Sequence, residues 1–112
     1  MKKKTQTYWR KKCVARAKLL AKERDNYTCQ RCGKMPDKID GSHVYPEGTY
    51  HGMSANVDNI KSLCSYCHLY WWHKDVISAR DWFAKKFPER FKKLKALSRL
   101  TIKKDWKKEW EA

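Results

Sequence analysis

Two pairs of cysteines, each with two residues between its members, constrain this chain more than any other feature. The pairs are Cys29/Cys32 and Cys64/Cys67. Four thiolates at this spacing are typical ligands of a closed tetrahedral Zn²⁺ site. A chain of 112 residues can bury only a modest core, and small domains often need a metal ion as a staple. The pattern therefore predicts a single small domain, spanning residues 1–112, that is held together by zinc.

The rest of the sequence favours metal binding over disulfide bonding. No apolar run approaches the length of a membrane span, and the basic N-terminus lacks the apolar stretch of a signal peptide. We therefore expect a cytoplasmic, reducing environment, in which closely spaced cysteines bind metal more often than they form disulfides. The fifth cysteine, Cys13, is expected to be a small buried apolar residue.

The charge balance indicates a polyanionic partner. The chain has 27 Lys and Arg residues against 12 Asp and Glu residues, for a net charge of +15. Nucleic acid fits this excess best, with an anionic membrane surface as the alternative. Four basic residues lie off the apolar stripe of a predicted N-terminal helix, where they form a solvated face and are candidate phosphate contacts: Lys11, Arg16, Lys18 and Lys22.

Periodicity predicts several short elements. Residues 7–24 read as a helix with an apolar stripe, and short strands are expected over residues 39–45 and 60–63. A helix should begin near Cys67, and its aromatic run, residues 70–72, is expected to pack against the core, with base stacking as the alternative. Ser78 resembles the cap of a helix that runs to about residue 87, and Pro88 suits the first turn of another. The apolar stripe of the first helix comprises Trp9, Cys13, Ala17 and Leu20, and a last helix should align Ile102, Trp106 and Trp110.

Chemistry-bearing side chains surround the second cysteine pair. His43 lies on the first predicted strand, Asn59 precedes the pair, and His68 directly follows Cys67. Since four thiolates already complete a zinc tetrahedron, these histidines are free for another role.

The ordered set His43, Asn59 and His68, together with both cysteine pairs, resembles the HNH endonuclease family over roughly residues 22–73. The resemblance implies a small α+β fold with a ββα-metal core at residues 22–76. This core is a β-hairpin and a helix around a catalytic metal, stapled by the four-cysteine zinc. A basic N-terminal helix and a helical basic extension over residues 78–112 would flank it.

The family roles carry over by position. The resemblance implies that His43 is the general base, that Asn59 orients the base and its loop, and that His68 binds a catalytic divalent ion such as Mg²⁺ or Mn²⁺. Two positions depart from the family pattern, because Ser42 replaces a ligand that is usually Asp or His, and Trp72 stands where some members have a further histidine. Asp40, on the same strand face as Ser42, and His73 are the substitute ligands that the sequence offers.

The function implied is that of a metal-dependent endonuclease or nickase acting on DNA. The alternative is a non-catalytic, zinc-stapled module that binds nucleic acid, and a nuclease acting on RNA is a third hypothesis. Small nucleases of this kind are often encoded by phages and mobile elements. The resemblance therefore suggests a phage protein in the cytoplasm of a bacterial host, with packaging or recombination partners.

Overall fold

A computed structural model describes residues 3–112 and has a mixed α+β architecture, as the sequence predicts. A long helix comes first, a two-stranded sheet and a short helix follow, and three helices end the chain. Two single 3₁₀ turns precede the second strand. The elements are α1 (Gln6–Arg24), β1 (Asp40–His43), β2 (Ile60–Leu63), the π-helical turn (Cys67–Trp72), α2 (Val76–Lys86), α3 (Pro88–Ser98) and α4 (Trp106–Glu111). Within the described part of the chain, no helix has both the length and the apolar character that a membrane span requires.

The two strands pair antiparallel, with Asp40 opposite Leu63 and Ser42 opposite Lys61. Paired residues project to the same side of a sheet, and neighbours along a strand project to opposite sides. The side chains of Asp40 and Ser42 therefore share one face of the sheet, and His43 lies on the other.

Helix α1 covers the face of the sheet that carries Ile60, which packs with Ala17 and Ala21. The Thr5 side chain caps α1 by accepting a hydrogen bond from the backbone N–H of Tyr8. Cys13 is buried, which confirms its expected role. The predicted stripe was wrong at Leu20, which is 46% exposed, because Ala21 occupies the buried position of that turn.

The opposite face of the sheet lies against the main hydrophobic cluster. This cluster joins Leu63 of β2 to Trp71 and Trp72 of the π-helical turn, and it extends to Phe83 of α2 and Leu94 of α3. The C-terminal helices therefore complete the same core that contains the zinc-binding segments. The expectation that Tyr70 packs with the two tryptophans was wrong, since its side chain is 64% exposed.

The helix boundaries after residue 74 differ partly from prediction. Asp75, rather than Ser78, caps α2, because its carboxylate accepts the Ser78 backbone N–H at 3.4 Å. Pro88 begins α3, as predicted. Helix α4 begins at Trp106, so the expected helical alignment with Ile102 was wrong. Ile102 instead lies in a non-helical segment. Its carbonyl oxygen would be 2.5 Å from a Cβ atom at position 52, so only glycine fits there.

Candidate functional site

The four paired cysteines form a compact metal-binding cluster. Their sulfur atoms all lie within 4.8 Å of one another, and the Cys32 and Cys64 Sγ atoms are 3.7 Å apart. Zn–S bonds of about 2.3 Å place neighbouring sulfurs of a tetrahedron roughly 3.8 Å apart. None of the cysteines is in a disulfide. The predicted four-cysteine arrangement is confirmed, and its donor chemistry and spacing fit zinc.

Tight backbone turns shape this cluster. The Gly33 N–H donates to the Cys29 carbonyl at 2.9 Å, and Gly33 has a positive φ of +78°, which glycine adopts without strain. Burial raises the pKa of Cys29, but hydrogen bonds from the backbone N–H groups of Cys32, Cys64 and Arg31 outweigh this effect and lower it to about 7. Burial raises the pKa of Cys67 to about 12, so metal binding at this thiol would release a proton.

His43, at the end of β1, has one ring nitrogen fixed by the backbone. Its Nε2 atom lies 2.7 Å from the Ser54 carbonyl oxygen. A carbonyl can only accept, so Nε2 carries the proton and Nδ1 keeps a free lone pair. Burial lowers the pKa of His43 below its usual value of 6.5, which keeps the imidazole neutral at pH 7.

Asn59 fixes the two loops around this histidine. Its Oδ1 atom accepts the Tyr45 backbone N–H at 2.8 Å, and its Nδ2 group donates to the carbonyls of Tyr45 and Met53 at 3.1 and 3.2 Å. Since Met53 directly precedes Ser54, the fully buried Asn59 side chain also holds the carbonyl that orients His43. Sequence reasoning did not identify Ser54, which acts through its backbone.

His68 lies between two further polar side chains. Its Nδ1 atom is 3.2 Å from the Asp40 carboxylate, and its ring centroid is 4.8 Å from that of His73. The second contact depends on the π-helical turn, in which the His73 N–H donates to the His68 carbonyl at 3.3 Å. Hydrogen bonds between residues five apart bring both histidines to one side of the turn.

His43, His68 and His73 line one cavity of about 320 Å³. Gly41 and Val44 also line it, so it follows β1, and the cationic side chains of Lys18 and Arg80 contribute to its wall. Sequence reasoning missed Arg80, because no motif marks it and α2 has to pack before it reaches the cavity. Among residues 3–112, the four cysteines are the one cluster of three or more His, Cys, Asp and Glu side chains whose ligand atoms are all mutually close. Asp40, His68 and His73 are thus neighbours, but their ligand atoms are not all mutually close in this structure.

Ser42 and Trp72, the two departures from the family pattern, contact the same buried lysine. The Lys61 Nζ atom lies 2.9 Å from Ser42 Oγ and 3.2 Å from the centroid of the Trp72 ring. Nothing in the sequence distinguished Lys61 from the many surface lysines, yet it is completely buried.

The basic residues of α1 divide into two groups. Lys11, Lys18 and Lys22 are seven and four residues apart, which places them along one side of the helix. Lys11 and Lys18 also line a shallow groove next to the histidine cavity. Arg16 points elsewhere, since its guanidinium donates to the backbone carbonyls of Glu109 and Trp110 at 3.0 Å each and caps the end of α4.

Comparison with known proteins identifies the same region. The family model described as HNH endonuclease matches residues 29–70, which include both cysteine pairs, His43, Asn59 and His68. The chain is also 32% identical over 53 residues to Anaredoxin of Nostoc sp. (strain PCC 7120 / SAG 25.82 / UTEX 2576), a match that covers 47% of this chain and 67% of that protein. No solved structure matches at a comparable significance. With its strand pair and four-cysteine cluster in the matched segment, the chain belongs to the HNH endonuclease family.

Proposed function

We propose that this protein is a metal-dependent endonuclease or nickase that hydrolyses phosphodiester bonds in DNA. The observation that carries this proposal is the single cavity in which three histidines meet two cationic side chains. A phosphodiester is an anion that needs a base, charge stabilisation and positioning for hydrolysis, and this cavity offers all three. The net charge of +15 favours a polyanionic substrate.

His43 is the proposed general base. Its Nε2–H is held by the Ser54 carbonyl, so Nδ1 is the atom that accepts a proton from the attacking water. The lowered pKa keeps this nitrogen free at neutral pH. Asn59 is a positioning residue, because it fixes the loop that carries Ser54 and touches no reacting atom.

Lys18 and Arg80 are the proposed phosphate contacts within the cavity. The stem of Lys18 crosses β1 at Gly41, where a Cβ atom would lie 2.9 Å from Lys18 Cγ. Glycine at this position therefore lets the lysine run along the strand into the cavity. The exposed guanidinium of Arg80 suits a bidentate contact with phosphate oxygens. Lys11 and Lys22 extend the basic surface along α1.

The donors that would hold the divalent ion are His68, His73 and Asp40. Two imidazoles and one carboxylate suit Mn²⁺ or Ni²⁺ better than Mg²⁺, which prefers oxygen ligands. The hydrogen bond between His68 and Asp40 already orients two of these groups toward each other. When bound, such an ion would stabilise negative charge on the scissile phosphate.

Nicking of supercoiled plasmid DNA in the presence of Mn²⁺ tests this proposal. We expect wild-type protein to nick the plasmid and His43→Ala to lose at least about 100-fold in rate, the usual scale for general-base catalysis. His51→Ala is the matched control, because His51 is an exposed histidine that lines a different cavity. Equal rates for wild type and the zinc-loaded His43→Ala variant would refute the assignment of the base.

The second candidate is a non-catalytic module that binds nucleic acid. It is favoured by one observation, the burial of Lys61 between Ser42 and Trp72, where the family pattern places metal ligands. This candidate predicts salt-sensitive DNA binding without nicking under Mg²⁺, Mn²⁺ or Ni²⁺. Binding that is equal in wild type and His43→Ala, with no cleavage by either, would select it.

A further inference from the structure

Lys61 has the surroundings of a bound cation. Its Nζ atom lies 2.9 Å from Ser42 Oγ and 3.4 and 3.3 Å from the carbonyl oxygens of Ser42 and His43. The face of the Trp72 ring closes the remaining side, with the ring centroid 3.2 Å away. Three oxygen acceptors and an aromatic face are the partners that an ammonium group prefers.

This ammonium links the two elements that carry the histidines. Its oxygen partners belong to β1, which carries His43. Its aromatic partner belongs to the π-helical turn, which contains His68 and is directly followed by His73. Lys61 also contributes to lowering the pKa of His43, although burial is the largest cause. Burial, with a smaller contribution from Arg90, lowers the pKa of Lys61 well below its usual value of 10.5. The oxygen acceptors and the face of the Trp72 ring oppose this shift, because both favour the ammonium form.

We propose that Lys61 is a built-in cation on the inner side of the catalytic site, the side formed by Ser42 and Trp72. It confines the divalent ion to the outer side, formed by His68, His73 and Asp40, and weakens the binding of that ion. The inference rests on the ion site of the proposed function. Ser42 Oγ is committed to Lys61 and the Trp72 ring covers it, so neither side chain is free to ligate a metal. A divalent ion beside His73 would be repelled by the Lys61 ammonium, and the low dielectric of the core strengthens this repulsion.

Direct measurement of Mn²⁺ binding tests this inference without any turnover. Isothermal titration of zinc-loaded protein would compare wild type with Lys61→Gln, which removes the charge but keeps an N–H donor for the carbonyls. We expect Lys61→Gln to bind Mn²⁺ about tenfold more tightly or better. Lys95→Gln is the matched control, because it makes the same change in net charge at an exposed position of α3 and should alter affinity less than about twofold. Affinity in Lys61→Gln that is no higher than in wild type would overturn the inference.

A second measurement uses wild-type protein alone, in case Lys61→Gln does not fold. Paramagnetic broadening by Mn²⁺ should be strongest at the ring protons of His68 and His73, while the Lys61 side chain keeps its contact with the Trp72 ring. Release of Lys61 from Trp72 when Mn²⁺ binds would overturn the inference, since the ion would then occupy the inner side. The nicking assay with His43→Ala does not depend on either result, so failure of this inference and failure of the proposed function are distinguishable.

Discussion

Loss of one zinc ligand should destabilise the whole domain, and Cys32→Ser is the cleanest way to show it. Cys32 is the one exposed ligand, whereas Cys29, Cys64 and Cys67 are buried. Replacing sulfur by oxygen at an exposed position removes little packing. The effect of Cys32→Ser therefore reports on the metal rather than on the core.

The expected magnitude follows from the size of the domain. Structural zinc contributes about 10–16 kcal/mol in small zinc-dependent folds, and a whole domain is stable by about 5–15 kcal/mol. The zinc joins the segment after α1 to the segment after β2, which are otherwise linked by side-chain contacts such as that of the Arg31 guanidinium with the Trp71 ring, 4.2 Å from its centroid. We expect complete removal of zinc to unfold the protein and Cys32→Ser to lower the free energy of unfolding by several kcal/mol.

Thermal unfolding followed by circular dichroism, with zinc content measured on the same samples, checks this expectation. Wild-type protein should contain one zinc per chain and lose its cooperative transition when a strong chelator strips the metal. Cys13→Ser is the matched control, because Cys13 is a cysteine outside the cluster, and its buried thiol donates a hydrogen bond to the Trp106 carbonyl at 3.6 Å. Full zinc loading and an unchanged melting temperature in Cys32→Ser would refute the structural role of the metal.

Three further outcomes follow from the geometry. Gly52→Ala should cost about 2–3 kcal/mol in urea denaturation, because its Cβ would meet the Ile102 carbonyl at 2.5 Å, whereas Gly48→Ala, with no atom within 4 Å, should be nearly neutral. Asn59→Ala should cost about 3 kcal/mol by the same assay, since three buried hydrogen bonds are lost, and a cost below about 1 kcal/mol would contradict the role given to this side chain. The nicking rate should be level between about pH 7 and 8 and should fall with a midpoint below pH 6.5, because burial lowers the pKa of His43 and a protonated base cannot accept a proton; a midpoint above pH 6.5 would contradict the assignment of His43 as the base.

The parts of the site that the sequence predicted are those encoded by local spacing. Each cysteine pair forms its turn within four residues, and His68 follows Cys67 directly, so the local spacing is enough to predict their placement around a metal. The strands near His43 and Asn59 could also be predicted, because turn-forming residues flank each of them.

The parts that could not be predicted depend on contacts between distant segments. Lys61 is one of many lysines, and its burial becomes apparent only when β1 supplies three oxygen acceptors and Trp72 covers it. Arg80 reaches the cavity because α2 packs through Phe83, which is distant in sequence from His43. The helix start at Asp75 was missed because two capping patterns overlap within four residues and tertiary packing decides between them.

The π-helical turn and the buried lysine together explain the positions of Trp72 and His73 relative to His68. In a regular α-helix, Trp72 would share a face with His68, because residues four apart are neighbours, and His73 would turn away. The hydrogen bond from the His73 N–H to the His68 carbonyl shifts this relation by one residue, so that His73 lies beside His68 and Trp72 turns inward. The inward ring of Trp72 covers the Lys61 ammonium, which also donates a hydrogen bond to Ser42 Oγ. Ser42 and Trp72, the two departures from the family pattern, are therefore linked through one buried lysine, and the turn that places Trp72 inward also brings His73 beside His68.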